Sequence, residues 1–163
     1  YKKTHNLSSE EKSLGIEISN KGHQFGYQNF SRNQVRSILK LSKYLIAKYK
    51  IKKKYVLGHS DIAVDRKKDP GERFPWKYLS SNKVGFWHQI SEKTLKKLRN
   101  KKISNFEERE FFKYLFKFGY SKKFNDRLNK RLLIKSFQRH FRQKLINGKI
   151  DQECFIIAKK LAN

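Results

Sequence analysis

A period-two apolar run, a long amphipathic helix pattern and a second apolar run follow one another early in the chain, and this order constrains its fold most. Residues 14–19 (LGIEIS) alternate apolar with polar or small side chains, which is the period of a half-buried strand. Ser31 then begins a helix, with Gln34 three residues later completing a capping-box pattern. Residues 54–58 (KYVLG) indicate a second strand. Strand, helix and strand in this order predict a βαβ unit with two parallel strands.

The second half of the chain predicts three short amphipathic helices. Ser104 and Glu107 form a second capping-box pattern, and Asp151 precedes the last helix. We therefore expect an α/β fold, in which a mixed sheet with flanking helices is followed by a small C-terminal three-helix bundle. The predicted boundaries are residues 1–90 for the α/β unit, 91–103 for a basic, lysine-rich linker and 104–163 for the bundle.

The segment between residues 58 and 76 (GHSDIAVDRKKDPGERFPW) concentrates polar chemistry in a loop that contains both of the chain's prolines. His59 and Asp69 offer an imidazole and a carboxylate, which suit a divalent metal such as zinc, and Lys67 places a cation two residues before Asp69. His59 follows the carboxyl end of the second predicted strand, where ligands collect in open α/β sheets. Glu17, on the strand face opposite the aliphatic residues, would approach the same pocket.

This segment resembles the motif of the zinc-dependent N-acetylmuramoyl-L-alanine amidases of the type 2 family, especially their AmiD branch. The family pattern is G-H-S-D-I-A-P-x-R-K-x-D-P-G-P-x-F-P-W, and residues 14–20 resemble its S-I-G-I-E-I-x-N strand. The resemblance implies a Zn²⁺ cofactor held by His59 and Asp69, with Glu17 as general base and Lys67 stabilising the developing oxyanion. The implied reaction is hydrolysis of the amide between N-acetylmuramic or anhydromuramic acid and L-alanine in peptidoglycan, with zinc-activated water as nucleophile.

The C-terminal unit resembles peptidoglycan-binding domains through residues 137–142 and 147–151. On this interpretation residues 1–90 are an amidase catalytic domain, and residues 104–163 hold the enzyme on its polymer. We expect His23, Trp87 and His88 to line the substrate groove. The expected protein is a monomer acting on muropeptides in the cell envelope, in the periplasm or anchored at the outer membrane.

The chain departs from the family pattern at Val64 and Glu72, where proline is usual, and at Cys154, where threonine is usual. The family also carries another zinc-ligand histidine on an earlier strand, a position that His5 does not match. We therefore expect an N-terminally truncated copy, with the third zinc ligand and any signal region upstream of Tyr1.

Two other functions are alternatives to the amidase. With two recognisable metal ligands, the chain could be a non-catalytic peptidoglycan-binding protein with a degenerate zinc site. The net charge of +26 suits nucleic acid, but the basic residues are scattered and no recognition helix is evident, so we predict no nucleic-acid partner. No run approaches the ~20 apolar residues that cross a bilayer, so no transmembrane segment is predicted.

Overall fold

The structure is a computed structural model that describes residues 13–124 and 127–163. In these residues the regular elements are all helical. The α-helices are α1 (Arg32–Tyr49), α2 (His59–Ile62), α3 (Trp76–Ser81), α4 (Glu92–Leu98), α5 (Asn105–Phe118), α6 (Arg127–Phe141) and α7 (Gln152–Ala162), and the 3₁₀ turns are Lys53–Tyr55 and Lys122–Phe124.

The predicted mixed sheet is wrong, because the described ranges contain helices and no β-strand. Residues 14–19 lie outside any regular element, and Leu14 and Ile16 are exposed instead of sharing a buried face. The second predicted strand is interrupted by the turn Lys53–Tyr55. A strand exists only where its backbone groups pair with a neighbour, and period-two alternation does not supply that neighbour.

The predicted helix starts, in contrast, are confirmed. At α1 the Ser31 hydroxyl accepts a hydrogen bond from the Gln34 N–H at 3.2 Å, and the Gln34 side chain accepts from the Ser31 N–H at 2.8 Å. The same reciprocal pair begins α5. The Asp151 carboxylate accepts from the Cys154 N–H at 2.9 Å and begins α7. Each cap satisfies donors that a helix N-terminus would otherwise leave unpaired.

A continuous hydrophobic core joins the middle of the chain to the C-terminal helices. Its buried members include Trp76 and Leu79 of α3 and Phe111, Leu115, Leu133, Phe137 and Ile157 of α5 to α7. The segment predicted as a linker contains α4, whose Leu95 is buried in this core. The domain boundaries stay a prediction, but the core runs across them. No helix in the described ranges has the length and apolar character to cross a membrane.

Candidate active site

His59 is the first residue of α2, and the chain returns to it ten residues later. The Ser60 N–H donates to the Asp69 carbonyl oxygen at 2.9 Å, which joins the two ends of the loop. The approach is close, because a Cβ added at Gly58 would lie 2.7 Å from Cδ of Pro70. Glycine before α2 therefore allows the Asp69 end of the loop to pack against the helix start.

The loop brings the two predicted metal ligands together. Nδ1 of His59 lies 3.0 Å from Oδ2 of Asp69, and the two side chains are 50% and 59% exposed. Two ligand atoms of one tetrahedral zinc ion lie about 3.4 Å apart. A small movement of the His59 and Asp69 side chains would therefore let them share an ion. The described residues contain no group of three or more His, Cys, Asp or Glu that could hold a metal. The pair thus fits two positions of a zinc site, and His5 lies outside the described residues.

The two predicted catalytic side chains lie on the surface. Glu17 and Lys67 are both exposed, and the Lys67 N–H donates to the Ala63 carbonyl oxygen at 2.9 Å. Neither side chain makes a hydrogen bond to His59 or Asp69 in this structure. Their roles as base and oxyanion stabiliser stay predictions.

The three predicted substrate-groove residues separate into two places. Nε2 of His23 lies 3.0 Å from a Glu72 carboxylate oxygen, and the His23 ring stacks on Tyr27 with centroids 4.4 Å apart. Trp87 and His88 are instead buried in the core, with His88 only 2% exposed. Burial lowers the pKa of His88 to about 4, so the imidazole is neutral at physiological pH. This placement gives no support to a substrate-binding role for Trp87 or His88.

Tyr27 secures the loop just after Asp69, a role that the sequence analysis missed. Its hydroxyl donates to the Pro70 carbonyl oxygen at 2.6 Å and accepts from the Arg73 N–H at 3.0 Å. Gly71 lies next to the hydroxyl end of Tyr27 in a left-handed conformation, with φ +81°. The only sequence signal was an aromatic side chain in the loop before α1.

Asp61 lies in a buried polar cluster, which the sequence analysis did not identify. Its Oδ2 lies 2.7 Å from Nδ1 of His140, and its Oδ1 accepts from the Tyr120 hydroxyl at 2.8 Å. The His140 ring stacks between Trp76 and Phe141, at centroid distances of 4.0 and 3.9 Å. These partners lie 59 and 79 residues from Asp61 along the chain, so local pattern could not reveal them.

A separate cavity of about 390 Å³ lies between α5 and α6, away from His59. Nζ of Lys130 lies 5.1 Å from the Phe112 ring centroid at its wall. The lining residues are Glu108, Phe112, Lys130, Arg131, Ile134 and Gly148. The His59–Asp69 pair therefore lies on an open face, whereas the C-terminal helices carry a basic and aromatic hollow.

Comparison with known proteins gives consistent matches. Residues 4–72 match the family described as N-acetylmuramoyl-L-alanine amidase (Amidase_2). N-acetylmuramoyl-L-alanine amidase AmiD of Escherichia coli (strain K12) is 33% identical over 156 residues, which cover 91% of this chain and 56% of AmiD. The chain thus spans little more than half the length of this relative.

Solved structures agree with the sequence matches. The E. coli amidase AmiD, in complex with the substrate anhydro-N-acetylmuramic acid-L-Ala-D-γ-Glu-L-Lys, matches with a TM-score of 0.71 at 32% identity, covering 83% of this chain and 53% of that one. AmpDh3 from Pseudomonas aeruginosa matches with a TM-score of 0.70 at 30% identity, covering 84% of this chain and 55% of that one.

Proposed function

We propose that the chain is a member of the N-acetylmuramoyl-L-alanine amidase family, whose model its residues 4–72 match, and that it hydrolyses the amide bond between N-acetylmuramic or anhydromuramic acid and L-alanine in peptidoglycan. The observation that carries the proposal is the 3.0 Å approach of His59 Nδ1 to Asp69 Oδ2. It occurs inside the segment that matches the family, and its donor atoms suit zinc.

In the proposed mechanism His59 and Asp69 would hold zinc. When bound, zinc supplies a Lewis acid that makes water nucleophilic at neutral pH. Glu17 takes a proton from the attacking water and delivers it to the leaving amine nitrogen. Lys67 compensates the negative charge that develops on the substrate carbonyl oxygen as its carbon becomes tetrahedral. The products are a muramic acid carboxylate and a peptide with a free L-alanine amine.

The C-terminal helices would hold the enzyme on its polymer. Two cations at the α5–α6 cavity, Lys130 and Arg131, could pair with the carboxylates of stem peptides, and Phe112 offers an apolar surface beside them. Tethering raises the local concentration of the scissile bond. The protein would act as a monomer in the cell envelope, where this polymer is found.

The first test uses the substrate of the AmiD complex, anhydro-N-acetylmuramic acid-L-Ala-D-γ-Glu-L-Lys. We expect the chain to release L-Ala-D-γ-Glu-L-Lys, detected by mass spectrometry, to lose this activity with a chelator and to regain it with zinc. His59→Ala should abolish both retained zinc and turnover. Turnover that survives both chelation and loss of His59 would contradict the zinc mechanism.

Adjacent lysines provide a matched control for the oxyanion role. Lys67→Ala should lower kcat by about 10²–10³ without lowering zinc content. Lys68→Ala, at the next and also exposed position, should retain the wild-type kcat. Equal losses in the two variants would indicate a general effect of loop charge instead of a catalytic Lys67.

A non-catalytic peptidoglycan-binding protein is the second candidate. It is favoured by the metal-ligand count, since the described residues provide two ligands and no third one beside them. Such a protein would sediment with insoluble peptidoglycan, retain no zinc after dialysis and release no peptide. Stoichiometric zinc dependent on His59 and Asp69 would argue for the enzyme.

A further inference from the structure

Three side chains of the C-terminal unit reach the segment that forms α2. The Ser136 hydroxyl donates to the Ser60 carbonyl oxygen at 2.6 Å, and the Tyr120 hydroxyl donates to Oδ1 of Asp61 at 2.8 Å. Nδ1 of His140 lies 2.7 Å from Oδ2 of the same carboxylate. At this distance Nδ1 of His140 is in position to donate a hydrogen bond to the Asp61 carboxylate.

Asp61 transmits these contacts to the turn that carries His59. Its Oδ2 also accepts a hydrogen bond from the Gly58 N–H at 2.8 Å. Gly58 and Asp61 flank His59, so one carboxylate fixes the backbone on both sides of the metal ligand. The direction in which the imidazole projects therefore depends on where Asp61 is held.

The cluster that holds Asp61 is closed to solvent. The side chains of Asp61 and His140 are only 5% and 3% exposed, and aromatic rings cover both faces of His140. Burial, together with the adjacent Asp61 carboxylate, raises the pKa of Tyr120 well above its usual value, so its hydroxyl keeps the hydrogen that it donates. A buried polar network of this kind makes its surroundings rigid.

We propose that the C-terminal helical unit is a positioning element for the metal site, acting on His59 through Asp61 and Ser60. The inference rests on the proposed function, since it takes His59 as a metal ligand. Tyr120, Ser136 and His140 are positioning residues. Partners that orient a metal ligand affect metal affinity without touching the metal. The C-terminal unit would thus position the metal site as well as hold the enzyme on peptidoglycan.

The main test is Tyr120→Phe in the whole chain, which removes one hydroxyl and leaves the ring. We expect the zinc Kd, measured by competition with a chromophoric chelator, to rise at least about tenfold. Amide hydrogen exchange across residues 58–63 should also become faster. Tyr114→Phe is the matched control, because Tyr114 lies in the same unit and packs against Phe155 instead of the α2 segment.

Substitutions at His140 separate hydrogen bonding from stacking. His140→Phe keeps an aromatic ring but removes the donor to Asp61, and it should weaken zinc binding as Tyr120→Phe does. His140→Asn places an amide N–H near the position of Nδ1, so it should restore most of the zinc affinity despite losing the ring. The unfolding midpoint of each metal-free variant identifies any that simply fails to fold.

The outcomes distinguish this inference from the function on which it rests. If wild type binds zinc through His59 but Tyr120→Phe changes neither the zinc Kd nor the exchange of residues 58–63, the inference alone fails. It also fails if Tyr114→Phe weakens zinc binding equally. If wild type shows no zinc binding that depends on His59, the proposed chemistry fails and the inference falls with it.

Discussion

Gly71 combines a left-handed backbone with close packing against Tyr27. A Cβ at this position would lie 2.6 Å from the Tyr27 hydroxyl oxygen, at φ +81°. Gly71→Ala should therefore destabilise the chain by about 1–3 kcal/mol in urea unfolding and should weaken zinc binding by displacing the loop after Asp69. Gly26→Ala is the control, because its φ of +83° is similar but nothing lies within 4 Å. Equal effects in both variants would exclude a contribution from the contact with Tyr27.

The burial of His88 predicts that the stability of the fold decreases in acid. Burial lowers its pKa to about 4, whereas an unfolded histidine titrates near 6.5. Between these pH values the unfolded chain binds the proton more readily than the folded chain. The contribution of neutral His88 to the free energy of unfolding is therefore fully present above about pH 6.5 and is lost as the pH decreases toward about 4. The contribution is at most about 3 kcal/mol.

His88→Asn tests this prediction, since an asparagine oxygen can still accept from the Ile90 N–H that now donates to Nδ1 at 3.0 Å. The free energy of unfolding, measured in urea at several pH values between 4.5 and 7, should vary less with pH in this variant than in wild type. An unchanged pH dependence would assign the acid sensitivity to another group.

The local sequence predicted that His59 and Asp69 lie close together, because they are only ten residues apart and the loop between them turns back on itself. The same reasoning did not reveal that His88 and the Asp61 side chain are buried. Nothing in an aromatic dipeptide such as Trp87-His88 distinguishes a groove from a core. The partners of Asp61, Tyr120 and His140, become neighbours only after the C-terminal helices fold back onto α2.

At the scale of elements, helices were predictable where a capping side chain marks the N-terminus. Ser31, Ser104 and Asp151 each cap a helix that the pattern predicted. α3 follows Pro75 without a side-chain cap, and its start went unpredicted. α4 does have a cap at Ser91, but its many lysines obscured the apolar face. The strand predictions were wrong for a different reason. A strand needs backbone hydrogen bonds to an adjacent strand, and the local pattern does not show whether such a strand is present.

Asp151 is a cap with a second function, and its loss should cost more than a cap alone. Besides capping α7, its carboxylate accepts from Nη1 of Arg142 at 2.6 Å and from the Asn100 N–H at 3.0 Å. The Arg142 side chain is fully buried. Asp151→Ala should therefore destabilise the chain by about 3–5 kcal/mol. Ser104→Ala, which removes an exposed cap, should cost about 1 kcal/mol, and urea unfolding of both variants would refute the argument if the losses were equal.

At the scale of the whole molecule, the continuous core has a consequence for cooperativity. Trp76 and Trp87 lie in the middle of the chain, yet they pack on His140 and Phe141 of α6. The core residues of α3 and those of α5 to α7 belong to one cluster. A core shared in this way should unfold in one transition, although the sequence predicted two units separated by a linker.

Tryptophan fluorescence and far-UV circular dichroism can test this coupling, because both tryptophans precede the predicted linker while much of the helix follows it. The two thermal transitions should coincide in wild type. Phe137→Ala removes a fully buried ring whose centroid lies 5.3 Å from that of the Phe111 ring. It should lower the free energy of unfolding by about 3–5 kcal/mol, so both thermal transitions should shift together to lower temperature. Phe25→Ala, at a side chain that is 74% exposed, should leave both unchanged. If Phe137→Ala shifts the circular dichroism transition but not the fluorescence, the two units fold independently, and the buried contacts between α2 and α6 do not couple them.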